Sequence, residues 1–195
     1  RATGKAVDDL TAIILDRPRN LPHIEAVRRA GARIRLIRDG DISAAIAAAA
    51  EGSGIDILLG IGGSPEAVTA ACALKCLGGE MQCRLWPRDD AEREYASSAG
   101  LDLQQVLTRD DLVRSDEVFF AATGVTPGEL LQGVRYGPGG AWTHTVVMRS
   151  RTGTVRYIDA HHRFDRLSRI TDIYGAGTAG APPPPLEPPG RRTGR

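Results

Sequence analysis

The stretch Asp56-Ile-Leu-Leu-Gly-Ile-Gly-Gly-Ser-Pro-Glu66 decides the fold. A short apolar run breaks off into glycines, and Ser64-Pro65-Glu66 then supplies an N-cap residue, a first-turn proline and an acidic side chain that complements a helix dipole. The Ala-rich segment that follows predicts a helix reaching about Leu77. Strand, glycine turn and helix in this order form the repeating unit of a parallel sheet flanked by helices. The same unit occurs twice upstream. Leu10-Thr-Ala-Ile-Ile-Leu15 is continuously apolar, as a strand covered on both faces should be, and a helix from near Leu21 to Ala30 follows it. Ala32-Arg-Ile-Arg-Leu-Ile37 alternates like a half-exposed strand and leads into an Ala-rich helix over Ile42 to Ala50.

Downstream, Gln82 to Leu85 suggests a short strand, Asp89 to Ala99 a polar helix stopped by Gly100, and Glu117 to Ala122 a buried strand. Thr126-Pro-Gly-Glu129 has capping-box spacing and predicts a short helix through Leu131. Thr143 to Arg149 and Thr154 to Asp159, joined by Ser-Arg-Thr-Gly, read as a hairpin rather than a crossover, so the sheet should be mixed. The expected class is α/β: a layered sandwich with a mostly parallel, mixed sheet flanked by helices. Residues 1–175 read as one structural unit. Residues 176–195, with four prolines at 182–185 and an Arg-rich end, cannot build a core and read as a disordered tail.

Composition removes several classes of function. With 42% apolar and 25% charged residues in a chain of 195, the balance is that of one ordinary soluble domain. The net charge of +1 gives no electrostatic case for nucleic acid or an anionic membrane, so an anionic ligand must be held locally. No apolar run approaches the roughly 20 residues of a membrane span, and a cytoplasmic location is expected. Cys72, Cys76 and Cys83 are odd in number and lack zinc-ligand spacing, and the first two suit the core face of a helix.

In an open parallel sheet, ligands sit beyond the carboxyl ends of the strands, so the turns there carry the information. The first turn is Asp16-Arg17-Pro18-Arg19, where Pro18 fixes the backbone between two guanidiniums able to fork around a phosphate. Two surface arginines in a turn would look the same. The second is Asp39-Gly40-Asp41, whose carboxylates can accept from sugar hydroxyls while Gly40 admits a close ligand; Asp41 could equally cap the next helix. The third is Gly60 to Glu66, glycines aimed at a helix amino terminus that favours an oxygen anion. Glu66 offers a hard oxygen to a divalent cation, or serves only as a first-turn carboxylate. A dinucleotide fingerprint fails because Pro65 stands at the last glycine position, and no phosphate-binding Gly-Lys-Ser/Thr motif exists. Together the three turns describe a phosphosugar pocket.

The run Gly60 to Gly79 closely resembles the class II fructose-1,6-bisphosphatases. Leu15 to Arg19, Ala30 to Ile34, Asp39 to Asp41, Asp110 to Val113, Phe120 to Val125, Val147 to Ser150 and Gly153 to Arg156 are similar to that family in the same order, over residues 4 to 170. The resemblance implies a fold similar to the lithium-sensitive sugar phosphatases and Mn²⁺- or Mg²⁺-dependent hydrolysis of the 1-phosphate of fructose 1,6-bisphosphate, a gluconeogenic step. It implies that Arg17, Pro18 and Arg19 hold the non-reacting phosphate, that Asp39, Gly40 and Asp41 contact the sugar, that Gly63 adds a backbone contact and that Glu66 is a metal ligand. It also implies a homo-oligomer. Ser64 and Pro127 depart from the family pattern at positions where both residues suit a helix start.

The family's other metal-binding carboxylates lie in an amino-terminal half with no counterpart here, and the chain opens at Arg1 with a strand almost at once. A fragment supplying the substrate-binding half is therefore expected, with the catalytic base unassigned. His23, His144, His161 and His162 form no nucleophile pattern and read as packing or surface residues. Two rival readings remain. A non-catalytic sugar-phosphate-binding module would keep the same turns, and an inositol-monophosphate-type phosphatase would not need two arginines suited to a second phosphate.

Overall fold

The computed structural model describes residues 4–128 and 130–167. Its first half is a parallel sheet in the order β2-β1-β3, formed by β1 (Thr11–Leu15), β2 (Arg33–Ile37) and β3 (Ile57–Leu58). Helix α1 (Leu21–Ala30) links β1 to β2, and α2 (Asp41–Ala49) links β2 to β3. The continuous apolar run of β1 has its cause in this arrangement. Ala12 and Ile14 point to one face and pack with Ile24 and Val27 of α1, while Ile13 points to the other and packs with Ala44 of α2 and Ile55.

Helix α3 (Ser64–Leu77) lies beside α2, begins with Pro65 in its first turn and ends at Gly78 in the left-handed conformation, φ +72. The small residues of the two helices let them approach closely. Just past the end of α3 the chain also runs close to α2, where a Cβ on Gly79 would lie 2.7 Å from the Ala49 Cβ. The far side of α3 packs on a second, antiparallel sheet made of β6 (Phe119–Thr123), β7 (Arg135–Gly137), β8 (Gly140–Arg149) and β9 (Thr154–Arg163). Ala73 and Cys76 of α3, with Ile46 of α2, meet Phe120, Val146 and Met148 there. The layers run α1, parallel sheet, α2 with α3, antiparallel sheet. Between the two sheets in sequence lie β4 (Gln82–Cys83) and β5 (Leu107–Thr108), paired antiparallel, α4 (Asp90–Ser98) and α5 (Arg109–Leu112).

The α/β class, the parallel units and the hairpin stand as read. The parallel and antiparallel strands, however, form separate sheets, because α2 and α3 lie between them. The strand at Gln82 stops at Cys83, and the hairpin strands extend back to Gly140 and on to Arg163 through full register with each other. The helix expected through Leu131 does not form at the described residues. Val134 N–H bonds to Val125 C=O at 3.1 Å and Gly128 N–H to Leu131 C=O at 3.0 Å, closing a loop in which Gly133 sits against Pro127. Glu129 lies outside the described residues, as does the tail of 176–195. Unread in the sequence were β7, β5 and α5. The last is capped by Thr108, whose hydroxyl accepts from Asp111 N–H while the Asp111 carboxylate accepts from Thr108 N–H.

All three cysteines are free, and Cys76 is buried on α3, where burial pushes its thiol above the usual range. No helix among the described residues is long and apolar enough to cross a membrane.

Candidate functional site

The three turns read from the sequence all leave the carboxyl ends of β1, β2 and β3, and the parallel register sets those ends side by side. Hydrogen bonds then fasten them together. Asp16 N–H donates to Ile37 C=O at 2.7 Å, joining the first turn to the second. Arg17 begins a short 3-10 turn over Pro18–Asn20, and its Nη2 donates to Arg38 C=O at 2.8 Å, a second link to that turn. Arg19 Nε donates to Ile61 C=O at 2.7 Å and so joins the first turn to the third. Each guanidinium spends a donor on a backbone carbonyl and keeps others for an anion, because the group carries five N–H bonds in a fixed fork. Both residues are exposed, so their heads remain open to ligand.

Beneath the arginines lies Asn20, which sequence reasoning missed. It is the one buried polar residue among those described, with 0% exposure. Its Nδ2 donates to Leu15 C=O at 2.9 Å, and its Oδ1 accepts from Ile61 N–H at 2.9 Å. One carboxamide thus closes the end of β1 against the glycine loop. Gly60 passes over it so closely that a Cβ there would lie 3.3 Å from Asn20 Oδ1. A single Asn next to Arg-Pro-Arg carries no sequence signal of burial; only the three-turn geometry reveals it.

In the second turn, Gly40 occupies the N-cap of α2 at φ +85, a conformation that favours glycine. Asp41 is the first residue of the helix rather than its cap, and its Oδ2 lies 3.1 Å from where a Cβ on Gly62 would stand. One oxygen of its carboxylate therefore faces the glycine loop, while the other accepts from Ile42 N–H at 3.0 Å in the first turn of α2. Asp39 is exposed on the same turn. In the third turn, Gly63 is the N-cap of α3, and the Glu66 carboxylate folds back over it into the space that a side chain would fill. The structure thus brings Arg17, Pro18, Arg19, Asp39, Gly40, Asp41, Gly63 and Glu66 to one end of one sheet.

Chemically the crevice offers two guanidiniums, hydroxyl-accepting carboxylates and a helix amino terminus to an anionic polyol. It does not offer a complete metal centre. Among the described residues no group of three or more His, Cys, Asp or Glu side chains is placed to hold a metal ion, so Glu66 can supply one ligand of a larger set at most. The histidines lie elsewhere. His144 Nδ1 accepts from Gln132 N–H at 3.1 Å, His161 stacks on Trp142 with ring centroids 4.3 Å apart, and His162 bonds to the Thr143 hydroxyl.

Comparison with known proteins gives the same direction. The pattern of the family described as bacterial fructose-1,6-bisphosphatase, glpX-encoded, matches residues 1–162. A D-fructose 1,6-bisphosphatase class 2/sedoheptulose 1,7-bisphosphatase of Synechococcus sp. (strain JA-2-3B'a(2-13)) is 42% identical over 174 residues, covering 83% of this chain and 50% of that protein. The protein of the same description from Synechococcus elongatus (strain ATCC 33912 / PCC 7942 / FACHB-805) is 39% identical over 180 residues, covering 86% of this chain and 52% of its own length. The chain therefore spans about half the length of the relatives it matches. A match over residues 1–162, a range that includes all three turns, shows that the chain belongs to the bacterial, glpX-encoded fructose-1,6-bisphosphatase family.

Proposed function

We propose that this chain supplies the substrate-gripping half of a class 2 fructose-1,6-bisphosphatase, which hydrolyses the 1-phosphate of fructose 1,6-bisphosphate to fructose 6-phosphate and phosphate. The observation that carries the reading is the fastening of three ligand-bearing turns into one crevice by Asn20, Arg17 and Arg19. In this account Arg17 and Arg19 fork around the phosphate that is not cleaved, with Pro18 fixing the angle between them. Asp39 and Asp41 accept from sugar hydroxyls, and Gly40 leaves the backbone open to the sugar. Gly63 presents backbone at the head of α3, where the dipole favours the reacting phosphate.

Glu66 is one ligand of a bound Mn²⁺ or Mg²⁺, whose remaining ligands come from outside the described residues. The reaction belongs to gluconeogenesis, and the enzyme works in the cytoplasm as a homo-oligomer. The relatives are also described as sedoheptulose 1,7-bisphosphatases, and the two phosphates of that substrate would suit the same pair of arginines. A second reading, a sugar-phosphate-binding module without catalysis, is favoured by the lack of a three-ligand metal group among the described residues.

Phosphate release distinguishes them. The chain is joined in frame to the half of the Synechococcus relative that it does not match, and release from fructose 1,6-bisphosphate is measured with Mn²⁺ and with a chelator. Metal-dependent release that Glu66→Gln removes supports the phosphatase. Binding of fructose 6-phosphate without release leaves the binding module.

A further inference from the structure

The second turn carries a cation that the proposed function leaves unused. Arg38 stands directly between the last residue of β2 and the Asp39-Gly40-Asp41 turn, and it is exposed. Two successive carbonyls fasten its backbone to the first turn. Ile37 C=O accepts from Asp16 N–H at 2.7 Å, and Arg38 C=O accepts from Arg17 Nη2 at 2.8 Å. The head of Arg17 therefore rests against the backbone of a residue that bears a second guanidinium. Among the described residues the Arg38 side chain makes no hydrogen bond and no ion pair, although Asp39 is its neighbour in the chain. Exposed arginines elsewhere are taken up by carboxylates, as Arg88 is by Glu92 and Arg151 by Glu117. Arg38 instead keeps all of its N–H donors.

The charge of the turns gives that head a use. The first two turns hold three carboxylates, Asp16, Asp39 and Asp41, whereas the Arg-Pro-Arg segment supplies two cations. Each of those two arginines spends a donor on a backbone carbonyl. A phosphate dianion beside them meets a surplus of negative charge, and Arg38 is the third cation that balances it. We propose that Arg38 is a further phosphate-gripping residue, closing with Arg17 on the uncleaved phosphate of the sugar and selecting ligands that carry it. The inference rests on the proposed function and adds a residue that acts through its guanidinium alone. Any substitution of Arg38 keeps the backbone carbonyl that holds Arg17, so the head can be removed without releasing its neighbour.

Titration calorimetry of the 195-residue chain with fructose 6-phosphate at low salt tests this in wild type, Arg38→Ala, Arg17→Ala, the double variant and an Arg28→Ala control. Arg38→Ala should lose about tenfold in affinity with its Tm unchanged. Arg38→Lys, which keeps the charge but not the fork, should recover part of that loss. Two groups that grip one phosphate act together, so the double variant should lose less than the product of the two single losses. Binding by Arg38→Ala within about twofold of wild type, with Arg17→Ala impaired, would overturn this proposal and leave the functional reading standing. Losses that multiply in the double variant would overturn it by giving Arg38 a separate contact, and a loss accompanied by a fall in Tm would do so by giving it a structural role. Wild type that shows no saturable binding would overturn both readings together.

Discussion

Replacing Asn20 by Ala should uncouple the first turn from the third. The carboxamide is fully buried and makes two bonds of 2.9 Å, so its removal leaves the Ile61 N–H unpaired, while the Leu15 carbonyl keeps its bond from Arg17 N–H at 2.9 Å. A polar group left unpaired in this way costs about 1–3 kcal/mol, which is the loss expected here. For a domain of this size that corresponds to a fall in Tm of roughly 2–12 °C. Asn20→Asp is the sharper variant, because a carboxylate can still accept from Ile61 N–H but cannot donate to Leu15 C=O. It should be no better than Ala. Urea unfolding gives the stability change from the midpoint at constant slope, and titration with fructose 6-phosphate gives the affinity. Binding should fall in both variants under conditions where each remains folded, since Arg19 holds Ile61 only while that loop is in place. A stability loss below about 0.5 kcal/mol, or unchanged affinity, would refute the role given to Asn20.

Gly63→Ala should keep the fold, because the added Cβ meets only the end of the flexible Glu66 side chain; the melting curve should barely move while phosphosugar affinity drops as Glu66 is displaced. Asp56 accepts from Lys5 Nζ at 2.6 Å and from Thr11 N–H at 2.8 Å, and these bonds, Lys5 first, hold its carboxyl below the usual 3.8. Stability from a depressed carboxyl is present above the unfolded value and lost as pH falls through the folded one. The gap between wild type and Asp56→Asn in urea midpoints should therefore narrow as pH is lowered through 3.8 and below, and a gap constant with pH would contradict it. Ile14→Ala, at a site with 0% exposure between β1 and α1, should cost about 2–5 kcal/mol by the same assay. Lys75, 7% exposed, donates to Ser115 C=O and pairs with Asp110 and Asp116, both open to water. Lys75→Met, which keeps the buried stem, should lower Tm less than Lys75→Ala.

What the sequence disclosed follows from how each element is covered. Leu10 to Leu15 was readable because helices on both faces demand an unbroken apolar run, and α3 because Pro65 and Glu66 announce its start. The loop at Thr126 to Leu131 carries the same start signals, but tertiary contacts of Gly124 and Gly133 hold the chain in a closed turn. The ends of β8 and β9 were missed because Trp142, His161 and His162 lie where cover is incomplete and the sequence does not alternate between apolar and polar. The capping box of α5 escaped because Asp111 stands where Glu or Gln usually does. The candidate site was visible as three turns since parallel topology dictates where turns converge. Its fastening was not, because bonds from Arg17 to Arg38, from Arg19 to Ile61 and through Asn20 join residues far apart in the chain.

The central claim is that three turns form one phosphosugar site, and amide chemical-shift mapping tests it most directly. Labelled protein is titrated with fructose 6-phosphate and with fructose 1,6-bisphosphate, alongside Arg17→Ala and, as a control, Arg28→Ala on exposed α1. The account predicts saturable shifts confined to residues 16–20, 38–41 and 60–66, tighter binding of the bisphosphate, and a loss of at least about tenfold in affinity for Arg17→Ala alone. Shifts centred elsewhere, or Arg17→Ala binding as well as the Arg28→Ala control, would contradict it.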